Sequence, residues 1–237
     1  MSVATEFAPG LTIQNITAPQ KLSAYKLIAF DMDSTLITIE CIDEIADATG
    51  KKAEVAAITE ATMRGEITDF KDSLRQRVGK LAGVTQADMA RVLAERLQLS
   101  PGAHTLVKAA QNAGLKVLLV SGGFTYFAEH VRDLLQIDFV RANVLEMDNG
   151  VLTGGLVDQP WGDICDGAEK RRTLLEVASL LGIDAAQCIA VGDGSNDIPM
   201  MQAAGLSVAY HAKPRVRAEA KVCINQGGLD RLLEVLQ

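Results

Sequence analysis

The sequence predicts an α/β protein: a doubly wound, mostly parallel, Rossmann-like sheet with an inserted helical-bundle cap. Three observations carry this. Short apolar runs of strand length, at residues 27–30, 116–120, 188–191 and 206–210, alternate with helical segments. The first three run directly into acidic, hydroxylated or glycine-rich turns, as strands do where an open parallel sheet binds its ligand. Between the first run and the second, residues 38–100 carry helical signals and no strand, so a helical unit interrupts the alternation just above the first turn.

Taken in order, residues 1–24 form an N-terminal extension with Pro9-Gly10 and Pro19 and one short apolar stretch, 11–16, able to form a strand. The core comprises 25–37 plus 101–237, and the helical cap 38–100. Within the cap, segments 40–49, 52–64, 69–81 and 86–97 are helical. Gly50, Gly65 and Gly83 stop the first three, and Thr85 with Asp88 resembles a capping box for the fourth. Ser100-Pro101 opens a new helix with proline in its first turn. A helix follows at 125–135, a strand at 139–144, and a hairpin over 144–156 around Asp148-Asn-Gly150. Helix 167–181 precedes strand 188–191, helix 198–204 and strand 206–210, and residues 222–224 suggest a last strand.

Composition removes several classes of function. A net charge of −7 and an aromatic content of 4% argue against nucleic acid as a partner. No apolar run approaches the roughly 18–20 residues that span a bilayer, and Met1–Gly10 has no basic leader, so no membrane partner is expected. Cys41, Cys165, Cys188 and Cys223 show no paired spacing, which fits reduced thiols and a cytoplasmic location.

The chemistry sits at the three strand exits, which parallel strands bring to one edge. The first supplies Asp31 and Asp33, the second Ser121, Gly122 and Gly123, the third Asp193, Asn196 and Asp197. Close carboxylates repel and call for a cation, and glycines let backbone N–H groups approach an anion. Together they suit a phosphate and a hard divalent ion.

The strings Asp31-Met-Asp-Ser-Thr-Leu-Ile37, Ser121-Gly-Gly-Phe124, Lys170 and Gly192-Asp-Gly-Ser-Asn-Asp197 resemble the four motifs of the haloacid-dehalogenase-like hydrolases. That resemblance implies an Asp31 nucleophile on phosphorus and an Asp33 acid and base. Mg²⁺ would be held by Asp31, the Asp33 main-chain carbonyl and Asp193. Ser121 and the Gly122 N–H would hold phosphate oxygens. Lys170, preferred over Arg171 and Arg172, would supply a fixed cation. Asn196 would bind phosphate or substrate, and Asp197 would orient Lys170 or a metal-bound water.

Three further strings, Glu40-Cys-Ile-Asp-Glu-Ile-Ala46, Phe70-x-x-Ser-Leu-x-x-Arg-Val78 and Ala209-Tyr-His-Ala-Lys-Pro214, resemble those members that hydrolyse O-phospho-L-serine in the last step of serine biosynthesis. They imply Glu40 for the ammonium, Arg77 for the carboxylate, and Phe70 with Met63 as an apolar lid. Many such relatives carry a regulatory module ahead of the first motif; with about 24 residues ahead of it here, serine feedback through such a module is not expected. A homodimer is a further expectation. Two other functions fit the same residues: a phosphotransferase to a small alcohol such as homoserine, and a non-catalytic binder of phosphate and metal.

Overall fold

The computed structural model describes residues 4–64 and 66–237, excluding the Met63 side chain. The expected helix stop at Gly65 and the lid contact of Met63 therefore lie outside the described residues.

The strands are β1 (Thr5–Ala8), β2 (Leu11–Ile13), β3 (Leu27–Phe30), β4 (Lys116–Phe124), β5 (Phe139–Asp148), β6 (Val151–Val157), β7 (Cys188–Gly192), β8 (Leu206–Tyr210) and β9 (Val222–Ile224). They form one sheet in the order β1-β2-β9-β8-β7-β3-β4-β5-β6. From β9 to β5 all pairings are parallel; β1–β2, β2–β9 and β5–β6 are antiparallel. The central strands are buried on both faces, which explains their continuous apolar runs. Ile28, Phe30, Val117 and Leu119 enter one apolar layer, and Leu27, Ala29, Leu118 and Val120 the other, as the two-residue period of a strand dictates.

Helices α1 (Cys41–Ala48), α2 (Lys52–Met63), α3 (Phe70–Gly79) and α4 (Gln86–Glu95) follow β3. Asp69 caps α3, and Thr85 with Asp88 forms a reciprocal capping box on α4. Two chain passages join this bundle to the sheet, and they are tied to each other: Thr38 N–H donates to Gln98 O (3.0 Å) and Ser100 N–H to Leu36 O (2.9 Å). A third attachment is a backbone ladder to the β5–β6 hairpin. Gly83 N–H donates to Leu152 O, Leu152 N–H to Val84 O and Gln86 N–H to Gly150 O, at 2.8–2.9 Å.

The remaining helices are α5 (Ala103–Asn112), α6 (Thr125–Leu135), α7 (Gly167–Leu180), α8 (Ile198–Ala203), α9 (Pro214–Glu219) and α10 (Leu232–Val235). Several expected boundaries move by a few residues: strand 11–16 ends at Ile13, helix 69–81 at Gly79 and helix 86–97 at Glu95. The helix after Ser100-Pro101 begins at Ala103, because Gly102 takes φ +75° and presses on Asp230, whose amide nitrogen lies 2.5 Å from where a Cβ would stand. Pro101 thus belongs to a turn. Strand β4 also continues beyond Val120 through the Ser121-Gly-Gly segment to Phe124, with a register shift against β5.

The N-terminal segment, which sequence alone leaves without a role, completes the sheet. Strand β2 pairs with β9, Leu11 is fully buried, and Gln20 and Leu22 exchange backbone hydrogen bonds with Val235 and Gln237. Replacing Leu11 by alanine is therefore expected to cost about 2–5 kcal/mol in urea unfolding, as for a core leucine; an exposed tail residue would change stability by less than about 0.5 kcal/mol.

Candidate active site

The floor of the site is a buried lysine between two aspartates. Asp31 leaves β3, and its Oδ1 accepts from the Met32 amide (2.7 Å) and from Lys170 Nζ (2.6 Å). Lys170 stands in the first turn of α7, a helix capped by Asp166. Its Nζ also donates to Asp197 Oδ1 at 2.7 Å. Burial alone pushes the Lys170 ammonium down, but the charges of Asp197 and Asp31 outweigh it and raise its pKa above the ordinary lysine value. Asp197 Oδ2 accepts the amides of Asp193 (3.2 Å) and Gly194 (3.0 Å). One carboxylate therefore holds both the lysine and the turn after β7. Gly192 is required there: a Cβ would lie 2.4 Å from Asp197 Cγ.

Carboxylate oxygens of Asp31, Asp193 and Asp197 lie within 4.8 Å of one another. Burial, then Asp197, raises Asp31 well above the carboxylate range, with Lys170 opposing. Burial, Asp197 and Glu40 push Asp193 to about 6, with Lys170 and a 3.2 Å hydrogen bond from Thr35 Oγ1 opposing. Burial and Glu40 push Asp33 to about 7, against contacts with Cys41, and its buried Oδ1 has no hydrogen-bond partner among the described residues. Both Asp197 oxygens are engaged, whereas Asp31 Oδ2 accepts no hydrogen bond from the described residues. A donor set of crowded, underprotected carboxylate oxygens fits a hard divalent cation.

Above this floor lies a cavity of about 180 Å³ between sheet and cap. Asp31, Asp33, Asp193 and Asn196 border it from below, and Ser121, Gly122 and Gly123 from the side. Ser121 Oγ accepts from the Gly123 amide (2.8 Å). Asn143 spans the wall from behind, donating to Gly122 O (2.7 Å) and accepting from Cys165 N–H (2.8 Å). The cap contributes Glu40, Phe70 and Arg77. Glu40 Oε1 accepts from Ser34 Oγ at 2.7 Å, and Ser34 holds φ +55° to do so. Phe70 closes tightly: a Cβ on Gly122 would lie 3.2 Å from its ring. Arg77 is half-buried without an ion pair among the described residues, and burial lowers its pKa against Asp43, Glu40 and Asp33.

Lys170 is paired with Asp31 and with Asp197, and neither Lys170 nor Asp197 borders the cavity, whereas Asp31, Asp33, Glu40, Phe70, Arg77, Ser121, Gly122, Asp193 and Asn196 do. Sequence reasoning passed over Lys213, an exposed cation at the cavity wall whose amide donates to Asp193 O, and also Thr35 and Asn143. Lys213 sits in a string already noticed and Thr35 inside the first motif, but nothing in sequence points to Asn143.

A model of the haloacid dehalogenase-like hydrolase family matches residues 25–205. The phosphoserine phosphatase of Polaromonas sp. is 66% identical over 233 residues, 98% of this chain and 99% of that one. The phosphoserine phosphatase of Albidiferax ferrireducens is also 66% identical, over 98% of each chain. A solved phospho-aspartyl intermediate analogue of phosphoserine phosphatase superposes with a TM-score of 0.82 at 36% identity, covering 92% of this chain and all of the other. With a family model over most of its length and relatives 66% identical over nearly the whole of both chains, the chain belongs to the haloacid dehalogenase-like hydrolase family.

Proposed function

We propose that this chain hydrolyses O-phospho-L-serine to serine and phosphate, with Mg²⁺ as its metal, as the closing step of serine synthesis in the cytoplasm. The observation that carries the reading is one cavity with a nucleophile floor and two opposite, substrate-sized charges on its roof, Glu40 and Arg77. Phosphoserine offers an ammonium and a carboxylate to match them, and the full-length relatives share that activity in name.

Asp31 Oδ2 attacks phosphorus while Lys170 and the Met32 amide hold Oδ1. The P–O bond to serine breaks, and Asp33, protonated near neutrality by its surroundings, gives its proton to the departing alkoxide. Asp33 then takes a proton from the water that attacks the aspartyl-phosphate, returning Asp31 and releasing phosphate. Ser121 and Gly122 cradle the equatorial oxygens, with Asn196 beside them. Glu40, set by Ser34, receives the ammonium; Arg77 receives the carboxylate; Phe70 shuts out bulk water. Asp31, Asp193 and the Asp33 main-chain carbonyl would hold Mg²⁺, which would supply charge neutralisation where an anion meets an anion.

Phosphate release from a panel of phosphomonoesters is expected to favour phosphoserine with Mg²⁺, to need no alcohol acceptor, and to stop with chelator; turnover only with an added alcohol would identify a phosphotransferase. Asp31→Asn should remain folded and lose turnover in the same assay, and a variant as fast as the parent rules out Asp31 as nucleophile. For Arg77→Ala we expect kcat/KM to fall about 10- to 100-fold on phosphoserine, the worth of a charged hydrogen bond, with p-nitrophenyl phosphate little affected. Equal losses on both substrates would remove Arg77 from carboxylate recognition.

A further inference from the structure

The reacting groups are covered. Asp31 is 5% exposed, Ser121 1% and Lys170 0%, and Phe70 of α3 lies over Gly122. The cavity onto which Asp31 opens is roofed by Phe70 and Arg77 of α3, so the position of that helix sets how freely a substrate reaches Asp31. The far end of α3 cannot lift easily, because the segment after it is sewn to the β5–β6 hairpin by the Gly83–Gln86 backbone ladder. The Phe70 end has a different attachment. Lys71 Nζ reaches Asp163 Oδ1 at 2.6 Å and Asp166 at 3.8 Å, and Arg75 Nη2 reaches Asp163 Oδ2 at 2.5 Å. Two cations one helical turn apart thus grip both oxygens of one carboxylate.

The loop they grip also touches the phosphate wall. Asp163 is followed by Ile164, then by Cys165, whose amide is held by Asn143 and whose carbonyl would lie 3.4 Å from a Cβ on Gly122. Next comes Asp166, the cap of the helix that carries Lys170. Three residues therefore separate the cap's grip from the base of Lys170's helix.

We propose that Asp163 is a positioning residue: its ion pairs with Lys71 and Arg75 latch the cap shut and, through Cys165 and Asp166, register closure at the Gly122 wall and at Lys170. The assignment rests on the phosphoserine reading for its kinetic consequence, and on geometry alone for the latch. The pairs are partly exposed, so each is weak and screened by salt. A latch that must open every cycle has to be weak.

The chain's single tryptophan, Trp161, sits in this loop beside Lys71 and under Arg141, and reports on it without turnover. Three variants are compared with the parent in Mg²⁺ buffer: Asp163→Asn, Asp163→Glu, and the swap Asp163→Lys with Lys71→Glu and Arg75→Glu. Asp163→Asn should lose about 3- to 10-fold in kcat/KM on phosphoserine at low salt, keep its melting temperature, and show no further loss at about 1 M NaCl, where the parent falls to meet it. Asp163→Glu and the charge swap should recover most of the rate. Parent Trp161 emission should shift as salt rises, while Asp163→Asn starts shifted and stays there. An Asp163→Asn enzyme with parental rate and parental salt dependence overturns the latch, as does a charge swap no better than Asp163→Asn. If the parent fails to hydrolyse phosphoserine, the functional reading falls, and the emission measurement still decides the latch: a shift in the parent missing from Asp163→Asn supports it, and identical responses overturn it.

Discussion

An ammonium group with no access to water, clamped by two carboxylates, is the constraint on which the rest of this molecule depends. Such a triad is poor at stabilising a fold, because desolvating three charges offsets most of their attraction. Losing one partner from a buried pair, however, costs about 3–5 kcal/mol. The triad therefore fixes geometry rather than adding stability. Asp31 enters from the first strand exit, Lys170 from α7, and Asp197 from the turn after β7. Because Asp197 also ties down the Asp193 and Gly194 amides, the same constraint orders the turn that presents Asp193. What is left free is one oxygen of Asp31, facing the cavity.

The division of labour follows from this. The sheet supplies a floor competent for phosphoryl chemistry, and its residues say nothing about which alcohol carries the phosphate. On the proposed reading discrimination falls to the helices above the sheet, where Glu40 and Arg77 bring opposite charges to the cavity. The chain is acidic overall, with a net charge of −7, so attraction for an anion has to be local. Arg77 and Lys213 concentrate it at the cavity.

The sheet was legible in sequence because buried parallel strands read as short apolar runs and their exits are written in local motifs. The four cap helices were legible through their glycine stops and the Thr85–Asp88 box. The illegible parts depend on distant partners. Gly102 adopts its backbone angle because Asp230 packs against it. The short helices α9 and α10 are too brief to show periodicity. In the site, the motif residues gather at Asp31, but Asn143 acts by bridging Gly122 and Cys165, each more than twenty positions away, and no local pattern encodes that. Nor does any pattern show that Lys170 sits behind Asp31 instead of on the cavity wall.

The partner of β2 is β9, with Leu11 opposite Ile224. A ribosome makes the N-terminal hairpin first and its neighbour some two hundred residues later. Until β9 exists, Leu11 has no interior to enter and the β2 edge has no partner, and an isolated two-stranded hairpin is marginal in water. The hairpin joins the sheet only when nearly everything else has been built.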